Sequence, residues 1–160
     1  MKNRKKSAIS LLTLILVVLG IFFAPEDTDT QTPEPQTPEI SAVIEGEYYD
    51  TPYEGGEYID LYGELPDNYL TKKEARELGW VAQEGNLWEV APDMSIGGDY
   101  FGNFEELLPE NSGRDYYEAD IEYEGGSRNA KRLVFSNDGL YFYTDDHYES
   151  FNEIEVGEAE

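Results

Sequence analysis

The hydrophobic pattern of this 160-residue chain changes midway from helical to strand-like, and this change constrains the fold more than any other feature. In the first half, residues 57–62 have the apolar spacing of a short amphipathic helix that Gly63 would end. Thr71 and Glu74 form the capping box of a second helix. In the second half, the sequence pattern predicts short strands at residues 116–123, 132–136, 140–144 and 151–154. Turn signals separate them, and the one at residues 137–139 is typical of a hairpin. Helices followed by an antiparallel meander indicate an α+β domain.

The first 45 residues do not have the composition of a folded domain. Four cations in residues 2–6 precede an apolar run at residues 8–24, so residues 1–24 predict a signal peptide and a secreted, extracellular protein. The run is also just long enough to remain as a membrane anchor, which is the second interpretation. Residues 25–45 are rich in Pro, Thr, Glu and Gln and predict a disordered acidic linker. Residues 46–160 are then the functional domain.

Composition limits what this domain can do. About 115 residues suffice to bury a core, and the absence of cysteine excludes disulfides and thiolate metal sites. From residue 40 onward, thirty carboxylates face seven cations, a net charge of −23. Such a charge repels nucleic acid at long range, whereas clustered cations act locally, within a screening length of about 8–10 Å. An acidic interaction module and a phosphate-binding cleft both remain open.

A small set of titratable residues predicts the chemistry. His147 is the only histidine, and an imidazole and a shielded carboxylate such as Glu118 can exchange protons near neutral pH. Arg128 and Arg132 would hold a phosphate and stabilise charge on its oxygens. Taken singly, each side chain is more often a solvated or ion-paired residue. Together they indicate phosphodiester cleavage without a metal.

Two further groups of charged residues have a structural interpretation. We expect Arg114 to form an ion pair with Asp138. The acidic pair Asp145-Asp146 lacks the regular spacing of a calcium-binding loop. We therefore predict neither a metal nor a cofactor.

Many segments of the domain resemble the barnase and binase family, the bacterial extracellular guanyl-preferring ribonucleases. The segments follow in order at matching spacing and lie at residues 65–72, 78–82, 85–87, 90–92, 95–99, 112–114, 118–121 and 144–148. The similarity extends from about residue 57 to 154. It implies N-terminal helices packed on a five-stranded antiparallel sheet, with the active site on the open face.

The resemblance also implies roles for individual residues. Glu118 matches the general base and His147 the general acid, while Lys72 joins Arg128 and Arg132 around the scissile phosphate. Asp120, two residues beyond Glu118, would share its sheet face and brace both arginines. The implied reaction cleaves single-stranded RNA after guanosine through a 2′,3′-cyclic phosphate, which water then hydrolyses.

The family reads guanine with a loop that spans residues 101–105 here. Within the site, Glu105 matches the carboxylate that accepts from the base, Asn103 shapes the loop, Phe101 begins it, and Tyr148 lines the site beside the histidine. Phe104 replaces the arginine that the family usually carries, which also contacts the protein inhibitor barstar. The implied partners are RNA and a barstar-like inhibitor, and we expect a monomer that meets a membrane only through an uncleaved N-terminal segment.

A second class of function stays open beside the ribonuclease. It is a catalytically weak, acidic, surface-tethered binding module that retains the fold. The presence of Glu118, Arg128, Arg132 and His147 favours the enzyme, because loss of activity would usually change these positions.

Overall fold

The computed structural model describes residues 43–157. The predicted signal peptide or anchor and almost all of the predicted linker lie outside this range. Among the described residues, no helix is both long enough and apolar enough to cross a membrane.

Short helices precede and accompany a six-stranded sheet. The helical elements are α1 (Pro52–Tyr62), α2 (Lys72–Glu77), a 3-10 turn (Ala82–Glu84) and α3 (Leu87–Val90). The strands are β1 (Tyr69–Leu70), β2 (Ser95–Phe101), β3 (Tyr116–Asp120), β4 (Arg132–Ser136), β5 (Tyr141–Thr144) and β6 (Asn152–Glu153). They lie in chain order across the sheet, and β2 to β6 pair antiparallel. The α+β prediction is confirmed; the strand count is six because two-residue β1 adds in parallel to β2.

Helix α1 begins earlier than residue 57, where the sequence pattern places it. Thr51 caps it by accepting the backbone N–H of Glu54, and Pro52 occupies the first turn. The helix has two glycines in its first half, which hide the apolar pattern there. A Cβ on one of them, Gly56, would lie 2.9 Å from the side chain of Val156, so the glycine permits close packing. The predicted end at Gly63 is confirmed, with a left-handed φ of 77°.

Strand β2 is the longest element that the sequence pattern missed. Its centre is Gly97-Gly98, and glycine weakens a strand signal. Gly98 has a φ of +85°, and the register shifts at this point. A Cβ on Gly97 would lie 2.6 Å from the ring of Tyr69, so close packing against β1 requires the missing side chain.

Other local predictions are confirmed. Thr71 and Glu74 form a reciprocal capping box at the start of α2. The turn at residues 137–139 joins β4 to β5, with Ser136 donating its N–H to the carbonyl of Leu140.

The two faces of the sheet pack in different core clusters. One face carries a core cluster with α1, which contains Ile59, Ile121, Leu133, Tyr141 and Ile154. The other face carries Val134 and Phe142 in a cluster with Leu108 and Tyr116. Glu118 is the register partner of Val134, and directly paired residues project to the same face. Glu118 therefore lies on the face opposite α1, as the resemblance implies.

Candidate active site

The β3–β4 register places the charged residues of the site side by side. Glu118 and Asp120 are two residues apart on β3 and so share a face. Arg132, the first residue of β4, is the register partner of Asp120. All three are buried, with 7%, 1% and 2% of their surface exposed, respectively. Buried charges need partners, and each of these has one.

Glu118 is held at both carboxylate oxygens. Lys72 Nζ lies 2.5 Å from Oε1, and the Tyr148 hydroxyl donates to Oε2 at 2.5 Å. Lys72 is the first residue of α2, and its backbone N–H donates to Asp99 Oδ2 at 2.8 Å. Strand β2 thus fixes the start of the helix that supplies the cation.

Asp120 brings the two arginines together. Arg128 forms a bidentate ion pair with the Asp120 carboxylate: Nε donates to Oδ2 at 2.6 Å and Nη2 donates to Oδ1 at 2.5 Å. Arg132 Nε lies 2.9 Å from the same carboxylate. The expectation that Asp120 braces both guanidiniums therefore agrees with the geometry.

The surroundings of Glu118 determine its charge state. Burial acts to raise the pKa of Glu118, but hydrogen bonds from Lys72 and Tyr148 and the charges of Lys72 and Arg128 lower it below the ordinary glutamate value. Burial and the adjacent Glu118 carboxylate both raise the pKa of Tyr148. Glu118 is thus a carboxylate and Tyr148 a neutral hydrogen-bond donor at neutral pH.

Tyr148 connects this cluster to His147. Its hydroxyl accepts from Arg132 Nε at 3.1 Å, and its ring centroid lies 5.0 Å from the His147 imidazole. The same ring stacks on Phe101 at 5.3 Å. His147 is exposed, so its imidazole is accessible beside the buried charged cluster.

The local charge differs in sign from that of the whole domain. Lys72, Arg128 and Arg132 supply three positive charges, and Glu118 and Asp120 supply two negative ones. The cluster is therefore net positive within a domain of strongly negative charge. A phosphate placed here would meet the partly exposed Arg128, whose guanidinium Asp120 already orients.

Several known proteins with similar sequences are named as ribonucleases. A family model described as ribonuclease matches residues 54–155. The chain is 44% identical over 156 residues to a ribonuclease of Bacillus intermedius, covering 92% of this chain and 96% of that protein. The chain belongs to the ribonuclease family. It is a ribonuclease, and its substrate is RNA.

Two other relatives extend the comparison. A ribonuclease of Heyndrickxia coagulans is 57% identical over 98 residues, which cover 61% of this chain and 90% of that protein. Guanyl-specific ribonuclease St of Saccharopolyspora erythraea is 44% identical over 79 residues. These residues cover 49% of this chain and 74% of that protein.

The loop at residues 101–105 lies at the end of β2. The Asn103 side chain bonds both the N–H and the carbonyl of Leu108, each at 3.0 Å, which closes the loop on itself. Glu105 is exposed. Phe104 is 88% exposed. Its ring lies against Gly102, where a Cβ would be only 2.2 Å from the Phe104 ring atom Cε2.

Arg114 and Asp138 form the expected ion pair. Arg114 Nε and the terminal nitrogen Nη2 both donate to the Asp138 carboxylate, at 2.8 Å each for the shortest contacts. The hydrogen bonds from Arg114 and Ser136 lower the pKa of Asp138 to about 2. The pair joins the chain before β3 to the β4–β5 turn and has a structural role.

Sequence reasoning missed two supporting carboxylates. Asp99 holds the backbone N–H of Lys72, and Asp146 organises the loop that carries His147. Asp99 lies in residues 95–99, one of the segments that resemble the family, and this resemblance could have indicated its role. Asp146 also lies in such a segment, residues 144–148, and in an acidic pair that signals a turn; an Asp that follows Thr144 and precedes Ser150 is typical of a capped turn.

Proposed function

We propose that this ribonuclease cleaves RNA by general acid–base catalysis, with Glu118 as the base and His147 as the acid. The observation that carries the proposal is the position of Tyr148, which hydrogen-bonds Glu118 and lies against His147. The two proton-transfer groups thus share one neighbour beside the paired arginines.

The reaction has two steps. Glu118 removes the proton from a ribose 2′-OH, and the 2′-oxygen attacks the adjacent phosphorus. His147 protonates the departing 5′-oxygen, which leaves a 2′,3′-cyclic phosphate. The roles then reverse as water opens the ring.

The cations act on the phosphate. Arg128 and Arg132 stabilise negative charge that builds on the nonbridging oxygens, because they are already oriented by Asp120. Lys72 keeps Glu118 ionised before the reaction, and we propose that it also contacts the phosphate.

We further propose a preference for guanosine, read by the loop at residues 101–105. Glu105 would accept from the N1–H and amino group of guanine, while Asn103 keeps the loop in shape. The support is the closed geometry of the loop, the exposure of Glu105 and the guanyl-specific name of one relative.

Defined dinucleoside phosphates test both proposals. We expect the full-length chain to convert guanylyl-(3′→5′)-nucleosides first to guanosine 2′,3′-cyclic phosphate and then to the 3′-phosphate, and to cleave the adenylyl analogues much more slowly. A 2′-deoxyguanosine substrate should be inert because it lacks the nucleophile. Glu118→Gln and His147→Ala should abolish turnover in protein that retains the native circular dichroism spectrum.

The alternative, an acidic binding module that retains the ribonuclease fold, is favoured by the net charge. The same assay separates the two. Turnover no greater than that of His147→Ala would leave the binding module as the function.

We propose that residues 1–24 export the protein, residues 25–45 form a linker and residues 46–160 carry the activity outside the cell. The support is the cationic and apolar N-terminal sequence. Comparing the N-terminal sequence of protein from the medium with that from the membrane fraction tests release against anchoring.

A further inference from the structure

The loop that carries His147 has an uncommon backbone conformation. His147 and Tyr148 are consecutive residues with φ angles of 60° and 73°. Residues other than glycine rarely adopt such left-handed angles, and the conformation persists only where surrounding contacts impose it. Some group in the fold must therefore hold this segment in place.

The contacts that impose the conformation converge on Asp146. Thr144 Oγ1 donates to Asp146 Oδ1 at 2.8 Å, and Ser150 donates its N–H to Oδ1 at 3.0 Å and its hydroxyl to Oδ2 at 2.6 Å. One carboxylate thus joins the two ends of the segment that contains His147 and Tyr148.

Thr144 connects Asp146 to Tyr148 and to the sheet. Its hydroxyl oxygen accepts the backbone N–H of Tyr148 at 3.1 Å while its hydrogen points to Asp146. Thr144 is buried and is the register partner of Arg132, which in turn is the partner of Asp120. The His147 segment is therefore anchored directly beside the arginine pair.

The backbone of His147 makes a second connection. Its N–H donates to the carbonyl of Ala130 at 3.2 Å. Ala130 lies two residues after Arg128, so this bond joins the His147 segment to the loop that supplies one of the guanidiniums.

We propose that Asp146 is a positioning residue that holds the His147 imidazole and the Tyr148 ring in their working orientation. The inference rests on the proposed role of His147 as the general acid. Asp146 does not touch the reacting atoms in this arrangement; it acts through the backbone of its neighbours.

The charge state of Asp146 suits this task. Hydrogen bonds from the Ser150 hydroxyl and N–H and from Thr144 lower the pKa of Asp146 to about 2. The carboxylate is therefore ionised and accepts these hydrogen bonds at neutral pH.

The adjacent Asp145 provides a matched control. It is an exposed carboxylate in the same loop, and it accepts none of the hydrogen bonds described above. Asp145→Ala and Asp146→Ala therefore remove the same charge at neighbouring positions, but only the second removes the brace.

The single histidine allows a direct measurement. We expect the imidazole NMR resonances of His147 in the full-length chain to move in Asp146→Ala, because the ring leaves its place beside Tyr148, and to stay nearly unchanged in Asp145→Ala. On a guanosine dinucleotide, kcat of Asp146→Ala should fall by about 10- to 100-fold with a smaller change in KM, since misplacing a catalytic group by about 1 Å costs up to about that much.

Two milder variants keep the test valid if Asp146→Ala fails to fold. Asp146→Asn retains one acceptor oxygen, and Ser150→Ala removes only the hydroxyl bond, so both should give intermediate resonance shifts and intermediate kcat. Imidazole resonances and kcat equal to those of Asp145→Ala in every folded variant would overturn the inference. The NMR comparison needs no turnover, so an inactive wild-type chain would refute the proposed function and leave this test intact.

Discussion

The Tyr148 hydroxyl donates a hydrogen bond of 2.5 Å to Oε2 of Glu118, and this contact connects the strand β3 carboxylate to the loop of His147. The same hydroxyl accepts from Arg132, so its proton is directed at Glu118. Lys72 Nζ donates to the other carboxylate oxygen of Glu118, Oε1. Together with the charge of Arg128, these partners hold the pKa of Glu118 below its ordinary value despite its burial.

Removing Lys72 should shift the pH dependence of catalysis. The pKa of Glu118 lies below its ordinary value, against the effect of burial, in part because Lys72 supplies a hydrogen bond and a charge. The general base is active when ionised, so kcat/KM rises as pH increases through this pKa. In Lys72→Met the pKa increases, and we expect the acid limb of the kcat/KM profile to move to higher pH. Profiles on a guanosine dinucleotide measure this shift.

The neighbouring lysine is the control for that experiment. The Lys73 side chain is 83% exposed, and within residues 43–157 its one ion pair is with Glu77, at 3.9 Å. Lys73→Met removes the same charge one residue away and should leave the acid limb in place. Equal profiles for the two variants would show that the Lys72 contact does not set the pKa of Glu118.

Neutralising Asp120 should destabilise the fold as well as the site. In Asp120→Asn the guanidiniums of Arg128 and Arg132 lose the anion that they share, and the Arg132 side chain is only 2% exposed. Breaking a buried ion pair from one side costs roughly 3–5 kcal/mol of unfolding free energy. Urea unfolding at neutral pH measures the loss.

Glu122→Gln serves as the comparison for this loss. Glu122 pairs with Lys131, and both side chains are about 40% exposed, so solvent screens the interaction and the effect should be much smaller. A similar loss in both variants would mean that Asp120 does not hold two buried charges together.

The sequence predicted which charged residues lie together better than it predicted the elements that support them. Lys72 and Glu118 are 46 residues apart, and no periodicity brings them together; the resemblance placed both around the phosphate. Asp120 could be anticipated from its spacing of two from Glu118 on a strand, because that spacing fixes the face. The ion pair between Arg114 and Asp138 was likewise expected.

Strand β2 and the Asp146 network escaped prediction for physical reasons. Gly97 and Gly98 have no side chains that would show a strand pattern, and they are required by close packing and by a positive φ. Asp146 acts through short polar hydrogen bonds, which have no repeat in the sequence. Such contacts appear only once the chain has folded, although turn-forming residue types indicate where to look.

Replacing Phe104 with arginine should strengthen binding to barstar-type inhibitors. Phe104 is 88% exposed on the loop proposed to read guanine, where a guanidinium would be available to carboxylates on a partner. Complementary charges at such interfaces are worth enough to improve the dissociation constant at least about tenfold. Titration calorimetry with a barstar-type inhibitor measures the change. Phe104→Ala separates the gained charge from the lost ring, and a gain of equal size in the alanine variant would contradict the explanation.

Added salt should first raise and then lower activity on long RNA. The domain repels a polyanion through its net negative charge, and this repulsion extends over about 30 Å at 0.01 M salt but only about 10 Å at 0.1 M. The contacts of Arg128 and Arg132 with one phosphate are short and are screened later. Measurements of kcat/KM from low ionic strength upward should therefore pass through a maximum. A guanosine dinucleotide, with a single phosphate, should show a much weaker rise; a steady fall for long RNA from the lowest salt would mean that the acidic surface does not oppose substrate capture.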